Sequence, residues 1–174
     1  EARALLARLR IDSEEIEGSL DVLLPPAADR EADPAKVLEM LERFYGVHGG
    51  DRRFLTATGG LRGRTGDLEG SLAELGKALE SGADPAAVLS GIEAIEWSGD
   101  VRPGALLLEA DCLMALGEHD RAFPLLERIS GGGEIPAAEV MGRALETARG
   151  TGNAKHYVLA AGIAAGSGDA AEAE

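Results

Sequence analysis

The stretch ADPAKVLEML at residues 32–41 returns as ADPAAVLSGI at residues 83–92, and this recurrence constrains the fold more than any other feature of the chain. In each copy an Asp stands where a helix N-cap is wanted. A Pro follows at the first helical position, where a missing N–H has no intrahelical partner to lose. Asp33–Pro34 and Asp84–Pro85 therefore predict two helix starts 51 residues apart, and 51 is three times 17. Glycines followed by polar residues mark further breaks: GGD at 49–51, TGD at 65–67, SGD at 98–100, GEHD at 117–120, TGN at 151–153 and SGD at 167–169. Where none is skipped, as from 49 to 65, 98 to 117 and 151 to 167, successive breaks fall about 16 to 19 residues apart.

Between the breaks, apolar residues recur at spacings of three and four. Val37, Leu38, Leu41, Phe44 and Tyr45 form one such set, and Leu72, Leu75, Ala78 and Leu79 another. That period describes amphipathic helices. Helices are expected over 2–10, 13–24, 34–47, 52–64, 67–81, 85–98, 102–116, 119–130, 136–149 and 153–166, with GDAAEAE at 168–174 reading as the truncated start of another. About ten short helices joined by tight turns at near-constant period predict an all-α fold, an α-solenoid of antiparallel helix hairpins. Aromatic residues make up only 3% of the chain, so its core has to be built from small and aliphatic side chains at close range. Val and Ile seldom alternate with polar residues, which leaves little material for a sheet.

Paired helices of about 17 residues give a period near 34, and the residues of one such pair resemble a tetratricopeptide repeat. In Arg52 to Pro85, Leu55, Gly59, Gly66, Ser71, Leu75 and Ala78 occupy that family's alternating large and small positions. A second stretch, ALLLEADCLMALGEHDRAFPLLERI, offers Leu106, Ala110, Leu113, Gly117, Ala122, Leu126 and Ile129. The two are out of step by one helix, since Gly66 to Gly117 is again 51 residues, and the pairing of helices into hairpins stays open. A third stretch beginning at Tyr157 resembles the first helix and turn of another copy. The resemblance covers residues 34–174 and implies tetratricopeptide-like repeats there, with 1–33 as N-terminal helices packing on or capping the array.

Signals for chemistry are sparse. The pattern G-x-x-x-x-G-K-[ST] is absent, and GGLRGRTGD at 59–67 lacks both its Lys and a preceding strand. His48, His119 and His156 are far apart and have no Cys or His at metal-ligand spacing, so no metal site and no cofactor are expected. Ser90 and Ser130 sit in helical contexts without a nucleophile elbow. Cys112 is the one cysteine, which excludes an internal disulfide, and it reads as a small apolar residue inside a helix. Acidic residues such as Glu39, Glu42, Glu74 and Glu80 fall opposite the apolar stripes, as a solvated face would. The chain is expected not to be an enzyme.

The formal net charge of −14 would repel nucleic acid and anionic membrane surfaces, and no apolar run is long enough to span a bilayer. Fourteen Arg against three Lys, with Asn153 the one Asn and no Gln, suggests a GC-rich, bacterial genome. The opening at Glu1, without a Met or a signal peptide, reads as a processed or excised piece. In the resembling family the first helix of each hairpin lines a groove that receives a peptide or a segment of another protein. In the phase set by Gly66, that resemblance implies groove positions Arg53, Thr56, Arg64, Ser90, Glu93, Trp97, Glu127 and Lys155. Trp97 suits either a partner anchor or a cap over a helix pair. Arg52, Arg53, Arg62 and Arg64 gather positive charge on one helix and could attract a carboxylate or phosphate. A carboxylate clamp of paired Asn and Lys, used by some family members, cannot be assembled from this composition. The expected function is a non-catalytic scaffold or assembly factor that binds a protein or peptide. The alternatives are a regulatory or sensor segment of a larger multidomain protein, or an enzyme-associated helical superhelix.

Overall fold

The computed structural model describes residues 1–12, 15–29 and 31–172, and these are all-helical, with no strand among them. They fall into two compact units, Glu1–Glu96 and Trp97–Glu174.

In the first unit the helices are α1 (Ala2–Asp12), α2 (Ile16–Leu23), the single turn α3 (Pro25–Ala28), α4 (Pro34–Glu42), the single turn α5 (Tyr45–His48), α6 (Arg52–Thr65), α7 (Leu68–Glu80) and α8 (Pro85–Glu93). The starts follow from capping chemistry. Asp33 accepts hydrogen bonds from the N–H groups of Ala35 and Lys36, Asp51 from those of Arg53 and Phe54, Asp67 from that of Gly70 and Asp84 from that of Ala86. Each satisfies donors that the first turn leaves orphaned. The stops are equally local. Gly66, at φ 91°, places its N–H on the Gly63 carbonyl and lets the Asp67 N–H reach back to Arg62. The same pair of bonds recurs 51 residues on, where Gly117 bonds Met114 and Glu118 bonds Leu113. Both glycines adopt a left-handed backbone that side-chain-bearing residues resist.

Within this unit α6 and α7 pack face to face, α4 lies against α6, and α8 lies against both α6 and α7. Interdigitation explains the close fit. Leu55, Leu75 and Ala78 are fully buried, and Gly59 leaves room for Leu75 on the facing helix. Ala7, Leu20 and Leu23 from α1 and α2 join Leu41 and Phe54 in one hydrophobic core.

The second unit holds α9 (Arg102–Ala115), α10 (His119–Ser130), α11 (Ala137–Thr151) and α12 (Ala154–Glu172). Here α9 pairs with α10 and α11 with α12, and α11 also packs on α9 and α10. Arg143 on α11 grips Asp111 on α9, with Nη2 at 2.8 Å from Oδ2. In both units a hairpin is followed by a helix laid across it, which is the packing of an α-solenoid. Leaving aside the single turns α3 and α5 and the short 3-10 turn Gly99–Val101, the described residues form ten helices. The hairpins α6–α7 and α9–α10 carry the two out-of-step sequence stretches.

Several boundaries differ from the sequence expectation. The helix expected over 34–47 breaks at Arg43 and Phe44, because Phe44 turns into the core and Gly46 weakens the continuation. The helix expected over 85–98 stops at Glu93, and Ile95 leaves it to sit over Gly63 of α6. Helix α12 runs through the SGD at 167–169 to Glu172, since alanines on both sides sustain it against a modest local cost. The last two residues of GDAAEAE lie outside the described residues, as do two at the start of the helix expected over 13–24. Pro124 is inside α10, where its ring nitrogen cannot donate to the preceding turn. No helix of the described residues is long and apolar enough to cross a membrane.

Candidate functional site

The first unit carries a groove of about 860 Å³ with α6 as its floor, α8 and the turn before it along one side, and Leu24, Ala27 and Ala28 along the other. The floor is made by small side chains. On α6 these are Thr56, Ala57 and Gly60, and on α8 Ala87, Ser90 and Gly91, followed by Ala94 just past its end. Spacings of three and four put each set on one helical face. Three arginines rim the groove: Arg52 and Arg53 at the N-terminal end of α6 and Arg64 near its C-terminal end.

Of the residues selected from the sequence, Arg53, Arg64 and Ser90 are thus brought together with Thr56 around one cavity. Glu127 and Lys155 line a different one, about 1140 Å³ in the second unit, among Phe123, Val140, Val158 and Ile163. Glu93 is exposed and Trp97 partly buried, and neither lines either groove. With α8 ended at Glu93, Trp97 is not on a helix at all.

The cluster of four arginines divides by role. Arg62 turns away from the groove and joins three helices, with 3.0 Å to Glu42 on α4, 2.8 Å to Asp67 and 3.1 Å to Glu74 on α7. The hydrogen bond to Asp67, with Glu74 and Glu42 close by, holds the guanidinium above its ordinary pKa. In return Arg62, followed by the Gly70 N–H, holds the Asp67 carboxyl below its ordinary value. Sequence reasoning grouped Arg62 with Arg52, Arg53 and Arg64 because all four stand on one helix of an otherwise acidic chain; which face each occupies depends on α4 and α7.

Neither a family model nor a curated protein nor a solved structure matches this chain.

Cys112 is buried, and burial, then Asp111 and Glu109, push its thiol up to about 12, so it stays protonated and unreactive near neutrality. Among the described residues no three His, Cys, Asp or Glu side chains converge as a metal site would require. His48 is spent on structure, with its Nε2 at 2.7 Å from the Ser19 hydroxyl across buried surroundings. Sequence reasoning missed the small-residue floor and the wall at Leu24, Ala27 and Ala28. The stripe Arg53, Thr56, Ala57, Gly60, Arg64 was readable as one helical face, whereas the wall comes from residues more than 20 positions upstream of that stripe.

Proposed function

We propose that this chain is a non-catalytic, tetratricopeptide-like binding module that holds a segment of another protein in the groove over α6 and α8. One observation carries the reading. The side chains facing the groove are too small to fill it, so two helices that pack tightly elsewhere leave a trough open between arginine rims. A folded chain gains by filling apolar space, and a trough of this size suits a peptide chain more than a single side chain. Short helices stacked in sequence order also hold such a surface rigid, which lowers the entropy lost on binding. The role is that of a scaffold or assembly factor whose partner supplies what this chain lacks.

The test is to select a random-peptide display library against the full chain and against Gly60→Trp. A Cβ at Gly60 meets no atom within 4 Å, so a side chain there starts without a clash and is directed to occupy the trough. Enriched peptides that bind the parent chain and are lost with Gly60→Trp, at unchanged thermal stability, support the proposal. A library that yields no binder, or binders indifferent to Gly60→Trp, would remove it.

A further inference from the structure

We infer that the groove of the second unit, lined by α10, α11 and α12, is a docking site for helix α1 of a second copy of this chain. This surface is separate from the groove over α6 and α8. The occupant is argued from α1 itself. Ala4, Ala7 and Ile11, at spacings of three and four, share the face of α1 that packs into the core of the first unit. Leu5 and Leu6 straddle the opposite side, 64% and 45% exposed. Helices that are apolar on both faces are ordinarily covered on both.

The groove offers a matching hollow of about 1140 Å³, with buried Val140 of α11 at its base and Phe123, Val158 and Ile163 on the flanking helices. Val158 is 71% exposed, an aliphatic side chain left in water. Size suits a helix: the 11 residues of α1 span about 16 Å and, at about 10 Å across, fill roughly 1300 Å³.

Charge is complementary as well. Glu127 of α10 and Lys155 of α12 are the charged residues lining the groove, and neither has an ion-pair partner among the described residues. Glu134 stands between the lining residues Gly133 and Ile135, so the groove carries one more negative than positive charge. On α1, Arg8 meets Asp12 at 3.7 Å with both side chains largely exposed, a pair loose enough to exchange. Both follow Leu5 at helical spacing, along the edge of the leucine face. Arg3 and Arg10 already donate to the Val22 and Gly18 carbonyl oxygens of α2. With Glu1 counted, this segment carries one more positive than negative charge. Docking sets Arg8 against Glu127 and Asp12 against Lys155. The net charge of −14 opposes the approach of two copies, and at physiological ionic strength it is screened beyond about 8 Å.

The two surfaces differ, so the contact is heterologous and does not stop at two copies. A contact built on one short helix is at the small end of specific interfaces, and dissociation at about 10 to 100 µM is expected. Analytical ultracentrifugation of the full chain should show a monomer below that range and dimers and larger species above it. Leu5→Glu with Leu6→Glu, and separately Val158→Glu, change exposed side chains. Each variant should keep its thermal unfolding midpoint and lose self-association by at least about tenfold. Mixed together, the first supplies an intact groove and the second an intact α1, so a one-to-one complex that grows no further is expected.

A mixture that stays monomeric overturns the inference, as does association that survives either variant. Pairing of α1 with α1 would spare Val158→Glu and is excluded by the same measurement. Should a variant unfold, the charges decide: Arg8→Glu weakens association about tenfold and adding Glu127→Arg restores it. Indifference to Arg8→Glu, absence of rescue, or a parent chain monomeric well above the stated range overturns the inference.

Discussion

The Ser71 hydroxyl donates a hydrogen bond of 2.7 Å to the carbonyl oxygen of Gly59, tying the middle of α7 to the middle of α6. Both residues are buried, and the contact exists because neither carries a side chain that would hold the helices apart. Next to it, a Cβ added at Gly63 would run into Ile95 and lie 2.9 Å from Ser71 Oγ. This small seam is what positions the floor of the groove.

Filling the seam should therefore be costly, where filling open space is not. A Cβ at Gly59 would lie 2.8 Å from Leu75 Cγ, whereas one at Gly76 meets nothing within 4 Å. Gly59→Leu is expected to lower unfolding stability by about 2 to 3 kcal/mol through overpacking. Gly76→Ala is expected to raise it by about 0.5 to 1 kcal/mol, because Ala is the better helix former. Urea unfolding followed by circular dichroism measures both, and similar effects at the two sites would refute the close approach.

Arg62 is expected to behave as a structural residue, unlike its neighbours on α6. Its side chain is 24% exposed, and its partner Glu74 only 11%. Arg62→Met leaves Glu74 with a charge it cannot match, at an expected cost of about 2 to 4 kcal/mol. Adding Glu74→Leu should recover much of that loss, since the stranded carboxylate is then gone. A double-mutant cycle in urea gives the coupling directly; additive losses would show that the ion pair is energetically idle.

His48 should make the first unit sensitive to mild acid. Burial, outweighing the opposing pull of Asp51, lowers its pKa below 6.5, with Arg53 acting in the same direction as burial. The unfolded chain then binds the proton more readily than the folded one, so the contribution is fully present above about 6.5 and declines as pH falls from there toward the depressed folded value. Unfolding midpoints measured from pH 7.5 downward should fall more steeply for the parent chain than for His48→Gln, which cannot titrate. Parallel profiles would assign the acid sensitivity to other groups.

Helix starts and stops were legible in the sequence because they are settled within one turn. An Asp before a Pro, or a Gly before an acidic residue, satisfies orphaned backbone groups whatever lies elsewhere in the fold. The alternation of Leu55, Gly59, Ser71, Leu75 and Ala78 was legible for a similar reason, since large and small residues at helical spacing can pack closely in only a few ways. The ends of α8 and α12 were less so. Ile95 ends α8 by packing over Gly63 more than 30 positions earlier, and no local signal announces that contact.

By itself the sequence determined an all-α chain of short capped helices with small residues at their contacts, because capping and helical period are interactions between residues a few positions apart. Only the tertiary structure decided that Arg53, Arg64 and Ser90 share one groove while Glu127 and Lys155 line another, that Arg62 faces inward, and that Trp97 lies off the helix. Those outcomes depend on which distant segments lie beside each side chain, and that is set by packing between helices whose order along the chain does not specify which faces meet.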